Sequence, residues 1–174
     1  IRQMLRDQLT GITTIAVTHD AADAVALADR LVVIESGRVT QTGPVRDVLS
    51  APASDFVASI AGVNRLVGVA ADGGWRSGHR RLASTDAASL ALAAVVGSPL
   101  AAVFRPEHVQ VVGDAESDAW ETEVTRLEST LAGVRVQTES CAVDVSLAEA
   151  DGLVPGDQVR LRIDPERVRF VSVV

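Results

Sequence analysis

The order of apolar and polar positions changes character near residue 62 of 174. Before that point it alternates between helical and strand periods. Residues 2–9 carry Met4, Leu5 and Leu9 at helical spacing, and Gly11 offers a stop. The first residues read as the middle of a helix. Thr13 to Thr18 is a short β-branched run, which predicts a buried parallel strand. A helix to about Ala28 follows, with Asp20 as N-cap and Ala24, Leu27 and Ala28 on one face. Leu31 to Ile34 is an apolar strand that Ser36-Gly37 turns into Arg38 to Gln41, predicting a hairpin. Pro44 occupies a first helical position ahead of Val45, Val48 and Leu49. Pro52 ends that helix, and Asp55 to Ile60 predicts another, closed by Gly62.

From Asn64 the pattern becomes short alternating strands between Gly and Asp turns, as in Leu66-Val67-Gly68-Val69, Gly133-Val134-Arg135-Val136 and Val159 to Ile163. Such spacing predicts a small antiparallel barrel or sandwich. It also contains a repeat: Arg105-Pro106-Glu107-His108-Val109 returns as Asp164-Pro165-Glu166-Arg167-Val168, at an offset of 59. The same offset aligns Gly97 with Gly156, Phe104 with Ile163, Arg76 with Arg135 and Gly74 with Gly133. Agreement at this many positions in one register implies a duplication with lobes at about 64–113 and 119–174. Phe104 and Ile163 are then expected to be buried and Arg105 mostly exposed. Asp114, Glu116, Asp118, Glu121 and Glu123 fall between the copies and read as a solvated connector.

Composition narrows the functional classes. Hydrophobic content of 47% supports a core, built from aliphatic residues because aromatics make up only 3%. A net charge of −7 argues against nucleic-acid binding, as does the scarcity of stacking aromatics beyond Trp75 and Trp120. One cysteine, Cys141, excludes an intramolecular disulfide, suits a reducing compartment and reads as a buried strand residue. No apolar run approaches the roughly 20 residues of a membrane-spanning helix, so direct insertion is not expected. His19, His79 and His108 are dispersed, which leaves no zinc spacing.

The segment with mechanistic character is the predicted strand, Thr18-His19-Asp20 and the following helix. Ligands of α/β sheets gather at the carboxyl ends of strands, where a histidine can reach a phosphate oxygen or a water. A lone histidine there also serves as a structural hydrogen-bonder. Its surroundings are informative: Thr18-His19-Asp20, Ala28-Asp29-Arg30-Leu31-Val32-Val33-Ile34, Gly37-Arg38-Val39 and Gly43-Pro44 resemble the switch-histidine end of ABC-transporter ATPase domains. Val48-Leu49-Ser50-Ala51-Pro52, Asp55-Phe56-Val57 and Ala61-Gly62-Val63-Asn64 are similar to importer ATPases, most of all the molybdate-importer group. The two Pro-Glu turns look like those of the TOBE accessory domain, an OB-type barrel.

The resemblance implies an α+β chain: residues 1–62 a truncated α/β remnant of the ATPase domain, and residues 63–174 an all-β, OB-like TOBE barrel of two repeats. It implies that His19 is the switch-loop histidine that contacts the ATP γ-phosphate. It further implies ATP and Mg in the full-length parent, a membrane permease partner, a homodimer, and a cytoplasmic location on the inner face of the plasma membrane. The chain departs from the family in one respect: it has no lysine, no Gly-x-x-x-x-Gly-Lys loop and no Ser-Gly-Gly-Gln segment. A phosphate site needs that cradle, so no cofactor is expected here and His19 is expected to be inactive in isolation.

Arg105, His108 and Arg167, at related positions of the two repeats, form either an oxyanion pocket or braces against Glu107 and Glu166. The leading expectation is the accessory, regulatory part of an ABC-importer ATPase subunit, for molybdate first. Sulfate, polyamine, iron or sugar importers follow, and a stand-alone oxyanion-binding module is the competing class.

Overall fold

The computed structural model describes residues 2–113, 115–116 and 118–173. Among them the chain is mostly β, with a few short helices and three antiparallel sheets. It divides into two compact units, Ile1–Ala61 and Gly62–Val174.

The first unit runs α1 (Arg2–Leu9), α2 (Ala21–Leu27), β1 (Arg30–Glu35), β2 (Arg38–Pro44), α3 (Val45–Ser50) and α4 (Asp55–Ala61). The Asp20 carboxylate caps α2, accepting the Ala22 N–H at 2.7 Å. Strands β1 and β2 form a hairpin whose corner, Ser36 at φ 49° and Gly37 at φ 75°, supplies the two left-handed residues a tight two-residue turn requires. The Gln41 side chain donates to the Ala51 carbonyl and accepts from the Ala53 N–H, pinning the link between α3 and α4. Val48, Val57 and Ala58 are buried.

Two expectations need correction here. Pro44 is the last residue of β2 and the N-cap of α3, so the first helical residue is Val45. Residues 13–18 form no strand pairing, and Ile15 and Val17 are 94% and 98% exposed. A parallel strand exists only through its hydrogen-bonded neighbours, and β1 and β2 pair only with each other.

The second unit contains β3 (Asn64–Ala71), β4 (Gly74–Ser77), β5 (Arg80–Leu82), α5 (Ala87–Ala93), β6 (Pro99–Phe104), β7 (Val109–Val112), β8 (Trp120–Thr130), β9 (Gly133–Thr138), β10 (Ala142–Val145), β11 (Gln158–Ile163) and β12 (Arg169–Ser172). One sheet has the order β12-β6-β3-β4-β5 and the other β7-β11-β8-β9-β10. Matched in chain order, β3 to β7 against β8 to β12, the two orders are the same. The last strand of each series lies in the sheet of the other. The stretch 64–113 therefore leaves β7 in the second sheet, and 119–174 leaves β12 in the first. A single apolar cluster, including Trp75, Leu100, Phe104, Val124, Val143, Leu161 and Phe170, draws on both sheets.

The offset of 59 holds best in the later half of each series. Gly97, at φ 82°, donates its N–H to the Ala70 carbonyl, and Gly156, at φ 99°, to the Val124 carbonyl, both at 2.8 Å. Phe104 and Ile163 are buried at 3% and 7%, and Arg105 is exposed. The earlier half diverges. The first hairpin turns at Asp72-Gly73, just past Ala70, whereas the second runs on from Val124 through a bulge to Leu131-Ala132. Gly74 and Gly133 both open the returning strand, but Arg76 and Arg135 stand at different levels. Arg76 lies opposite Val69 and Arg81, and Arg135 opposite Glu128 and Asp144.

Two further differences follow. Helix α5, capped by Asp86 through the Ser89 N–H and hydroxyl, interrupts what the pattern predicts as all strand. The acidic connector is shorter than expected: Glu121 and Glu123 belong to β8, opposite Arg160 and Gln158. Asp114 lies outside the described residues.

Candidate functional site

The end of the unpaired segment 13–18 presents Thr18-His19-Asp20. The Asp20 N–H donates to Thr18 Oγ1 at 3.0 Å, which closes a small turn and leaves the His19 side chain exposed. Asp20 caps α2, so the turn is a helix start.

The two Pro-Glu segments are single 3-10 turns, Pro106–His108 and Pro165–Arg167, each following an inward-facing strand end. Proline fixes φ at the first turn residue, and the His108 and Arg167 N–H groups close the turns on the Arg105 and Asp164 carbonyls at 3.1 and 2.9 Å. Each turn is held by other neighbours. The first packs on β10. The second accepts from the Thr85 N–H, and the Val168 carbonyl after it accepts the Ser84 hydroxyl at 2.6 Å. Arg105 makes an ion pair with Glu107 at 3.7 Å, Arg167 is exposed, and His108 is half-buried with Nδ1 unpartnered among the described residues. No hydrogen bond or ion pair between any two of Arg105, His108 and Arg167 is present among the described residues. The Arg105 pair is solvent-exposed on both sides, so it stabilises by at most about 1 kcal/mol.

A denser polar group lies around Cys141. The Trp120 indole N–H donates to Ser140 Oγ at 3.2 Å, and Ser140 donates to Thr122 Oγ1 at 3.1 Å. Thr138 Oγ1 accepts the N–H groups of Ser140 and Cys141 and donates to the Cys141 carbonyl. Asn64 pairs its amide with both backbone groups of Ala142 at 2.8 Å, joining β3 to β10. Cys141 is buried, in the turn before β10 and not in the strand itself. Its burial pushes the thiol up to about 11, against smaller opposing effects of Ser140, Thr138 and Arg80. At pH 8 the thiol is therefore protonated and enclosed. Ellman's reagent should leave it unmodified in native protein and label it fully in urea; rapid native labelling would contradict this environment. Sequence pattern did not single out this group, because Thr and Ser in a turn carry no periodic signal.

Among the described residues no group of three His, Cys, Asp or Glu side chains is placed to hold a metal ion. No described helix is long and apolar enough to cross a membrane.

No protein-family model matches the chain. Individual relatives do. The chain is 38% identical over 170 residues to a sulfate/thiosulfate import ATP-binding protein of Xanthomonas campestris pv. campestris, covering 92% of this chain and 46% of that protein. The chain is homologous to the C-terminal region of ABC-importer ATP-binding subunits. A molybdenum import ATP-binding protein of Mycobacterium tuberculosis is 46% identical over 80 residues, 44% of this chain and 22% of the relative. The chain thus spans less than half the length of these ATP-binding subunits. In structure it is similar to the cytoplasmic molybdate-binding protein ModG, with a TM-score of 0.52 and 17% identity over 64% of this chain and 95% of that one. At that identity the likeness concerns fold alone. It fits the strand-exchanged, mostly β second unit.

Proposed function

We propose that this chain is the C-terminal accessory and regulatory part of the ATP-binding subunit of an ABC importer whose cargo is an oxyanion. The identity to the sulfate/thiosulfate subunit across 92% of the chain carries this reading. Within it, residues 1–62 are the end of the ATPase domain and residues 63–174 are a TOBE region of two OB-like repeats. His19 is then the switch-loop histidine, standing at an exposed turn where a γ-phosphate held by the rest of the subunit can reach it. ATP and Mg belong to the full-length subunit, because this chain has no lysine and no glycine-rich phosphate loop. Its partners are a membrane permease and a second copy, on the inner face of the membrane. Exposed Val32, Ile34 and Val39 on the β1–β2 hairpin support a covered position for that face.

Molybdate is the first cargo, supported by the match to the molybdenum subunit. Sulfate is the second reading, favoured by the longer match. On either cargo, Arg105 braces its turn through the Glu107 pair, while Arg167 is exposed and His108 leaves Nδ1 unpartnered among the described residues.

Chimeras test this. The chain should replace the matching part of the Xanthomonas and Mycobacterium subunits and restore uptake of sulfate or molybdate, whichever is its cargo. His19→Ala in the active chimera should lower ATP hydrolysis by about 100-fold or more. Folded, ATP-binding chimeras that transport neither anion would overturn the proposal.

A further inference from the structure

The β4–β5 hairpin concentrates positive charge in an acidic chain. Residues 76–81 read Arg-Ser-Gly-His-Arg-Arg, within a protein of net charge −7. The register places Arg76 opposite Arg81. Trp75 and Leu82, the neighbouring pair, are buried on the inner face, so alternation puts Arg76 and Arg81 together on the outer one. Like charges directly opposite across two strands are destabilising.

Elsewhere the second unit avoids this arrangement. Arg135 lies opposite Asp144 and binds it through two contacts of 2.7 Å, and Arg160 lies opposite Glu121. Arg76 with Arg81 is the one Arg–Arg register pair among the described strands. Among the described residues the one ion pair that either arginine makes is Arg81 with Asp72, at 3.7 Å, and both of those side chains are over 70% exposed. Such a pair adds little. Arg76 and His79 are exposed, and neither makes an ion pair or side-chain hydrogen bond among the described residues. The corresponding turn of the second sheet, Thr138-Glu139-Ser140-Cys141, contains no basic residue. Strand β5 is a sheet edge, where charge discourages edge pairing. That role does not require Arg76 on the strand behind it.

We propose that the β4–β5 hairpin binds a phosphate group, with Arg76 and Arg81 converging on its oxygens and His79 at the rim. Cross-strand neighbours have Cβ atoms about 5 Å apart, close enough for two guanidinium forks to share one tetrahedral anion. Arginine matches such oxygens in pairs, and a phosphate relieves the repulsion that the register creates. The phosphate comes either from a free anion or from a phospholipid headgroup, and the two sources present the same oxygens.

The test uses the whole chain. Inorganic phosphate is titrated while the amide resonances of residues 76–81 are followed. In parallel, sedimentation with phosphatidylglycerol–phosphatidylcholine vesicles is compared with phosphatidylcholine alone. Binding of either probe at low salt is expected, at least about tenfold weaker in the Arg76→Gln/Arg81→Gln double variant and unchanged in Arg162→Gln. Vesicle binding alone assigns the site to headgroups, phosphate binding alone to a free anion. Binding of neither probe, or equal binding by the double variant with its native circular dichroism intact, overturns the proposal.

Discussion

Replacing Phe170 by alanine should cost the second unit about 3–5 kcal/mol and loosen a sheet whose other strands lie far earlier in the chain. Phe170 is 3% exposed, opposite Ala102 of β6, and its N–H donates to the buried Ser89 hydroxyl at 2.8 Å. Val168, just before it, is 1% exposed, and its carbonyl accepts the Ser84 hydroxyl. The C-terminal strand therefore closes the edge of β6 and anchors α5. Urea unfolding followed by circular dichroism measures the loss. Amide exchange locates it: residues 100–103 and 65–69 should lose protection before residues 134–137. A chain stopped after Arg167 that kept full protection in β3 and β6 would mean that the first sheet stands without β12.

The second large effect concerns Trp75 and Gly68. The indole is 1% exposed and donates to the Leu100 carbonyl at 3.2 Å. It lies over Gly68, where an added Cβ would stand 2.6 Å from the ring and 2.4 Å from the Arg76 carbonyl oxygen. Glycine is needed there because a ring and a backbone oxygen already fill the space. Trp75→Ala removes the largest fully buried side chain and should cost about 3–5 kcal/mol. Gly68→Ala should cost about 3 kcal/mol, at the upper end for overpacking, because one of the two obstacles is backbone and cannot rotate away. Urea midpoints of the two variants, followed by the emission of Trp120 in Trp75→Ala and of both tryptophans in Gly68→Ala, check both. A Gly68→Ala protein as stable as the parent would show that β3 and β4 can separate freely.

Much of the fold was legible in the pattern of residues, and the exceptions have physical causes. Hairpin β1–β2 was readable because Ser36-Gly37 is local turn chemistry. So was the repeat, since Pro106 and Pro165 fix the same backbone angle at the same point of each series. Helix α5 carried its own signal, Asp86 three residues before Ser89 and then an alanine- and leucine-rich run, but strand-like neighbours masked it. The segment 13–18 misled because β-branched composition reports what a strand could be, not whether a neighbour is there to pair with. The exchange of β7 and β12 was invisible, as pairing partners are not written in a single strand. Of the candidate site residues, His19 was legible only as an exposed position at a helix start. Arg105, His108 and Arg167 were legible only as positions, and the Cys141 hydroxyl cluster not at all, because it assembles from three separate stretches.

The reciprocal placement of β7 and β12 has a kinetic consequence. Each sheet waits for a strand delivered by a single 3-10 turn, Pro106–His108 or Pro165–Arg167, from the neighbouring sheet. A short tether of this kind holds its strand at an effective concentration of millimolar order. Docking is therefore a first-order event, so the refolding rate of this unit should not depend on protein concentration. Two halves cut between β7 and β8 would have to find each other by diffusion.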